Sequence, residues 1–219
     1  MKRFIASLPP QAEMAIVLLS AFGIFVVSSV LMATGVADVP AMNNARLMGL
    51  LIYEMTVLAL LGSLLWARGW TLERLGIATP VLQDLIDAAG LVVVAYLIPA
   101  CIVPFLPAEL RQSVGVPFVA LPLSLPLVTA TSLINPVFEE IFVVGYVFAA
   151  LRGVNVAWAI NVSIALRIAY HLYQGPASVV FILPLAVVFG WWYSTRPSLW
   201  PLMIAHAALD FLALARHIG

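Results

Sequence analysis

Six ionisable side chains stand inside otherwise apolar stretches of this chain: Glu139 and Glu140, Arg167 and His171, His206 and Asp210. The sequence holds only ten acids, ten bases and three histidines, so this concentration is not background. A charge in hydrocarbon costs at least a few kcal/mol unless it is paired, which makes such groups functional candidates by default. A carboxylate beside an imidazole can take a proton from water, while a second imidazole or a cation polarises a carbonyl. The same residue types can ligate zinc. They can also form a proton relay across a membrane.

Spacing narrows the geometry without choosing the chemistry. Arg167 and His171 are four residues apart and share a helix face, as do His206 and Asp210. Glu139 and Glu140 are adjacent, so on a regular helix they point about 100° apart and cannot aim at one atom. One can face a cavity while the other pairs laterally. Counted along their helices from the flanking Arg152 and Arg196, the six groups lie roughly 15–24 Å in, at similar depth.

The elements that carry them are membrane spans. The chain has 219 residues, 64% hydrophobic and 9% charged. Soluble domains carry about 25% charge. Zero formal net charge argues against a nucleic-acid partner, and the lone Cys101 excludes an internal disulfide or a cysteine-based zinc site. With ~20 apolar residues needed per span, the candidates are Met14–Met32, Leu47–Ala67, Leu85–Leu106, Phe118–Leu151, Val156–Tyr173, Val179–Tyr193 and Leu199–Ala215. The first follows Lys2 and Arg3, is too long for a signal-peptide core, and is expected to be retained. The fourth is either one long tilted helix or two helices broken near Asn135-Pro136. The expected fold is therefore all-α, a polytopic transmembrane bundle of seven or eight spans around a central polar cavity.

Positive charge favours seven spans with the N-terminus inside. That arrangement groups Lys2, Arg3, Arg68, Arg74, Arg152 and Arg196 against Arg46, Arg111 and Arg216. Trp66 and Trp70 flank Arg68, and the mixed segment running through Glu73, Arg74 and Asp84 to Asp87 reads as a short interfacial helix or a connector. Glu54 in the second span is expected to pair within the bundle.

At the polar positions the chain resembles a known family. Glu139-Glu140 within Phe138-Glu139-Glu140-Ile141-Phe142-Val143-Val144-Gly145-Tyr146 resembles the E-E-x-x-x-R motif of the CPBP family. This family comprises CAAX prenyl endoproteases and bacteriocin-processing or immunity proteins of Abi type. Tyr170-His171-Leu172-Tyr173-Gln174-Gly175 resembles its F-x-x-x-H motif, and His206-Ala207-Ala208-Leu209-Asp210 its H-x-x-x-N/D motif. The likeness covers roughly residues 121–215, which suggests N-terminal helices over 1–117 and a catalytic core over 118–219. Two positions depart from the pattern. Val144 replaces the arginine of the first motif, and Arg167 stands where the second has an aromatic residue. One reading joins them: the cation has moved to a neighbouring helix, where Arg167 partners Glu140.

The resemblance implies a glutamate-type intramembrane endopeptidase acting on a membrane-associated peptide or lipidated protein. Glu139 with His171 would activate water, and His206 with Asp210 would stabilise the oxyanion. Glu140 and Arg167 would form the supporting pair, and no cofactor would be required. Tyr173 and Gln174, beside Gly175-Pro176, are candidate substrate contacts. A zinc-dependent version of the protease, a non-catalytic immunity or regulatory protein on the same scaffold, and a proton-coupled transporter are the alternatives. The short chain suggests a prokaryotic cytoplasmic membrane.

Overall fold

The computed structural model describes residues 8–113 and 121–219. Lys2, Arg3, the first residues of the fourth expected span and the 117/118 boundary lie outside the described residues. Among the described residues the fold is all-helical, with isolated bridges but no strand. Helix α1 runs Pro10–Ala33, α2 Asn44–Ala67, α3 Leu82–Ile102 and the short α4 Ala108–Ser113. Helix α5 spans Leu125–Ala150, α6 Val156–His171, α7 Val179–Thr195 and α8 Trp200–Ala215.

Local chemistry sets several of these ends. The Asn43 side chain accepts from the Arg46 amide at 3.0 Å to open α2, and Asn155 from the Ala157 amide at 2.9 Å to open α6. At the start of α3, the Val81 amide donates to Asp84 at 2.8 Å.

Among the described residues, five helical stretches are long and apolar enough to cross a membrane: Pro10–Ala33, Asn44–Ala67, Leu82–Phe105, Leu125–Ala150 and Pro176–Thr195. These make the chain an integral membrane protein. Helices α6 and α8 have 16 residues each, about 24 Å of rise against a ~30 Å hydrocarbon core. These two shorter helices carry Arg167, His171, His206 and Asp210. Within the described residues each of the seven apolar segments read from the sequence contains a helix, the fourth from Leu125 onward, and five of these reach full spanning length.

Helix α5 is the axis of the bundle. It buries 61% of its apolar window, against 17–28% for the other four long stretches. It is flanked by α2, α6 and α8, while α1 packs on α6 and α3 packs on α7 and α8. The outer faces of α1 to α3 present Leu19, Ile24, Ile52, Leu60 and Val93, the apolar surface a bilayer solvates. Cys101 is exposed on α3.

The break considered at Asn135-Pro136 is not present. Pro136 sits inside a continuous helix, and the irregularity comes just after it, where Glu140–Tyr146 winds as a π-helix. Its i→i+5 bonding spreads each turn over more residues and lowers the angular step between neighbours. That widening begins at the glutamate pair.

The segment after Trp70 is a connector rather than an interfacial helix. Between α2 and α3 its helical part is a single 3₁₀ turn at Glu73–Leu75, and Asp84 and Asp87 already belong to the first turns of α3. Trp70 is buried against Tyr146, with ring centroids 4.8 Å apart, and Arg74 lies over its outer face at 3.9 Å. Trp66 alone faces outward. The connector can lie this close because α5 has Gly145 there: a Cβ on that residue would stand 2.6 Å from the Leu75 carbonyl oxygen.

Candidate active site

The polar groups of α5, α6 and α8 meet beside the π-helical turn. Arg167, buried on α6, directs Nη2 to both oxygens of Glu140 at 2.8 and 2.9 Å and Nη1 to Glu139 Oε2 at 3.3 Å. The two glutamates therefore meet different nitrogens of one guanidinium, which resolves the divergence expected of adjacent residues. The cation absent at Val144 is supplied across the helix interface, and Val144 itself is fully buried among apolar neighbours. Arg167 is also 5.8 Å from the Phe189 ring.

Glu139 has two further donors. The Tyr170 hydroxyl donates to Oε2 at 2.5 Å, and Asn135 Nδ2 donates to Oε1 at 3.2 Å. A carboxylate held by three donors from two helices is fixed in orientation. Aromatic rings close the surrounding space. Phe22 of α1 stacks on Tyr170 at 5.1 Å and leans on Phe138 at 5.4 Å, and Phe138 meets Phe142 edge-on at 5.3 Å.

His206 bridges the pair to α8. Its Nδ1 lies 2.7 Å from Glu140 Oε1, and its Nε2 lies 3.5 Å from Asp210 Oδ1. Asp210 is more open than His206, with its side chain about a quarter exposed. The helical four-residue spacing puts both groups on one face, so α8 presents them together.

His171 stands apart from this packed cluster. Its ring contacts Tyr170 at 4.5 Å and Tyr173 at 6.4 Å, and its Nδ1 is buried without a hydrogen-bond partner. It borders a cavity of about 360 Å³ whose wall includes Met32, Ile168, Tyr173, Val179 and Ile182. Of the six groups, only His171 lies on this wall. The guanidinium and the carboxylates are in direct contact with one another. The cavity opens beside them and is mostly apolar. Tyr173 lines it, and Gln174 instead donates to the Tyr173 hydroxyl at 3.1 Å. The Tyr173 amide is tied to Ser29 Oγ of α1 at 2.8 Å, which fixes this wall.

The donor set does not fit a zinc centre. Glu139, Glu140 and His206 offer ligand atoms that all lie within 4.8 Å of one another. Yet both oxygens of Glu140 accept from Arg167, and its Oε1 also faces His206. The positive charge at the centre of the group is thus a guanidinium, and His171 is not among the three clustered ligands.

Two members of the network were not assigned a place in it from sequence. Tyr170 could have been found: it lies three residues after Arg167 and so on the same helix face. Asn135 is marked by the sequence only as a bend beside Pro136. It also donates to Glu54 of α2 at 2.8 Å, a contact between distant segments with no local signal.

No curated protein and no solved structure gives a significant match to the chain. Residues 121–212, which supply Asn135, Glu139, Glu140, Arg167, Tyr170, His171, His206 and Asp210, match the Rce1-like family of type II CAAX prenyl endopeptidases, consistent with the CPBP family and with a CAAX-type membrane protease.

Proposed function

We propose that the protein is a glutamate-type intramembrane endopeptidase that cleaves a peptide bond of a membrane-associated or prenylated substrate in a prokaryotic cytoplasmic membrane. One observation carries this reading. Glu139 is held by Arg167, Tyr170 and Asn135 within reach of His206, beside an apolar cavity edged by His171.

In this mechanism Glu139 takes a proton from water, and the resulting hydroxide attacks the scissile carbonyl carbon. Arg167, locked between the two glutamates, and the Tyr170 hydroxyl hold the carboxylate so that little reorganisation accompanies proton transfer. His206 donates Nδ1–H to Glu140, and as an imidazolium it also carries an Nε2–H that it offers to the oxyanion. Asp210 balances the charge of that imidazolium. Collapse of the tetrahedral intermediate breaks the C–N bond, and the proton held by Glu139 passes to the leaving amine. His171 orients water or substrate from the cavity side. Tyr173 and the apolar wall receive the lipid or hydrophobic part of the substrate.

The test is cleavage of an internally quenched prenylated CAAX peptide by the purified protein. Activity is expected to be lost in Glu139→Gln and retained after exhaustive chelation. A regulatory protein on the same scaffold would instead keep its biological effect in Glu139→Gln, and loss of turnover on chelation would favour the metal-dependent version.

A further inference from the structure

Glu54 lies on α2, outside the matched segment, and belongs to none of the three motifs. It is fully buried. Its Oε1 accepts from Asn135 Nδ2 at 2.8 Å, and the same nitrogen donates to Glu139 Oε1 at 3.2 Å. Its second oxygen, Oε2, is buried with no hydrogen-bond partner. A carboxyl group kept in such surroundings is costly for stability alone, since an apolar side chain would fill the same space without an unsatisfied oxygen.

We propose that Glu54 is a positioning residue for Glu139, acting through the Asn135 amide. The amide nitrogen has two hydrogens. Glu54 takes one and thereby fixes the rotation of the amide, which directs the other at Glu139 Oε1. Asn135 and Glu139 are four residues apart on α5, so they share a face, and α2 is the helix packed against it. Tyr170 and Arg167 hold Oε2 of Glu139 from α6, while Glu54 and Asn135 hold Oε1 from the α2 side. The orientation of the base is thus set from both sides, and α2 becomes part of the active site rather than a packing helix. What Glu54 must supply is an acceptor, which a glutamine carbonyl can also provide.

The inference rests on the reading of Glu139 as the base, and the experiment separates the two. In the purified full chain, kcat for the prenylated CAAX peptide is expected to fall ~10-fold in Glu54→Leu with KM unchanged. Glu54→Gln should restore turnover to within a few-fold, and Glu54→Leu combined with Asn135→Leu should be no slower than Asn135→Leu alone. Independently of turnover, the infrared carboxyl band of Glu139, identified by its loss in Glu139→Gln, should shift in Glu54→Leu and return in Glu54→Gln. Should Glu54→Leu not fold, Asn135→Ala reads the same band. If the wild-type protein leaves the peptide intact but the band shifts, the strut stands and the protease reading fails. An unshifted band, or wild-type kcat in a folded Glu54→Leu protein, overturns the strut.

Discussion

Two buried sites in this bundle are built from the same parts, a glutamate, an arginine and a tyrosine hydroxyl. At one end of the bundle Glu13 of α1 pairs with Arg68 at the end of α2, and Tyr146 of α5 donates to Glu13 at 3.1 Å. Deeper, Glu139 pairs with Arg167, and Tyr170 donates to Glu139 at 2.5 Å. The first site holds the Glu13–Arg68 ion pair, and Arg68 also donates to the Leu8 carbonyl at 2.9 Å near the start of α1. It ties three helices together. The second gathers Glu139, Glu140, Glu54 and Asp210 around Arg167 and His206. Acids there outnumber cations, and Arg167, His206 and Asp210 sit on the 16-residue helices α6 and α8. Buried ion pairs are weak evidence for added stability. An ion pair that joins helix ends can nevertheless be read as a fastening, whereas a gathering of four acids beside a cavity is better explained by chemistry.

The contrast can be broken by substitution. The largest effect is expected of Glu139→Gln, which should lower turnover by two to four orders of magnitude while membrane insertion and the thermal midpoint are retained. The readout is peptide cleavage alongside thermal unfolding. Arg167→Leu should destabilise the fold by about 3–5 kcal/mol, since it strands two buried carboxylates, and thermal unfolding in detergent measures it. Adding Val144→Arg to that variant should recover part of the loss by returning the cation to α5. Glu13→Gln should cost about 1–3 kcal/mol of stability yet leave turnover per folded molecule unchanged. A fall in kcat without a fall in stability would mean that the outer site is more than a fastening. The smallest effect is expected of Asp87→Asn. Its partner Arg196 is more than half exposed, so the loss should be about 1 kcal/mol or less and should shrink further with salt.

Much of the fold was legible because hydrocarbon imposes simple rules. Long apolar runs become helices, and within the described residues each of the seven runs contains one. The cluster was legible for the same reason: charges at matching depth on separate helices must find one another. The displaced arginine shows how far that logic reaches, for Val144 could be set against Arg167 from sequence, and Arg167 is where the carboxylates meet their cation. What escaped depends on contacts without local pattern. The π-helical turn at Glu140–Tyr146 has no periodicity signature of its own, so the irregularity was expected earlier, at Pro136. The connector around Trp70 carries the charges and aromatics of an interfacial helix, but tertiary packing on Tyr146 and the bare backbone at Gly145 draw it into the bundle. The link from Glu54 through Asn135 to Glu139 joins residues 81 and four positions apart, and only the second spacing is a sequence signal.

The central claim is that Glu139 activates water without a metal. Its most direct measurement is the single-turnover rate of prenylated CAAX peptide cleavage by wild-type and Glu139→Gln proteins of equal thermal midpoint, each with and without exhaustive chelation. The account predicts cleavage by the wild type that chelation leaves unchanged, and none by the variant. Cleavage by Glu139→Gln at the wild-type rate would contradict it.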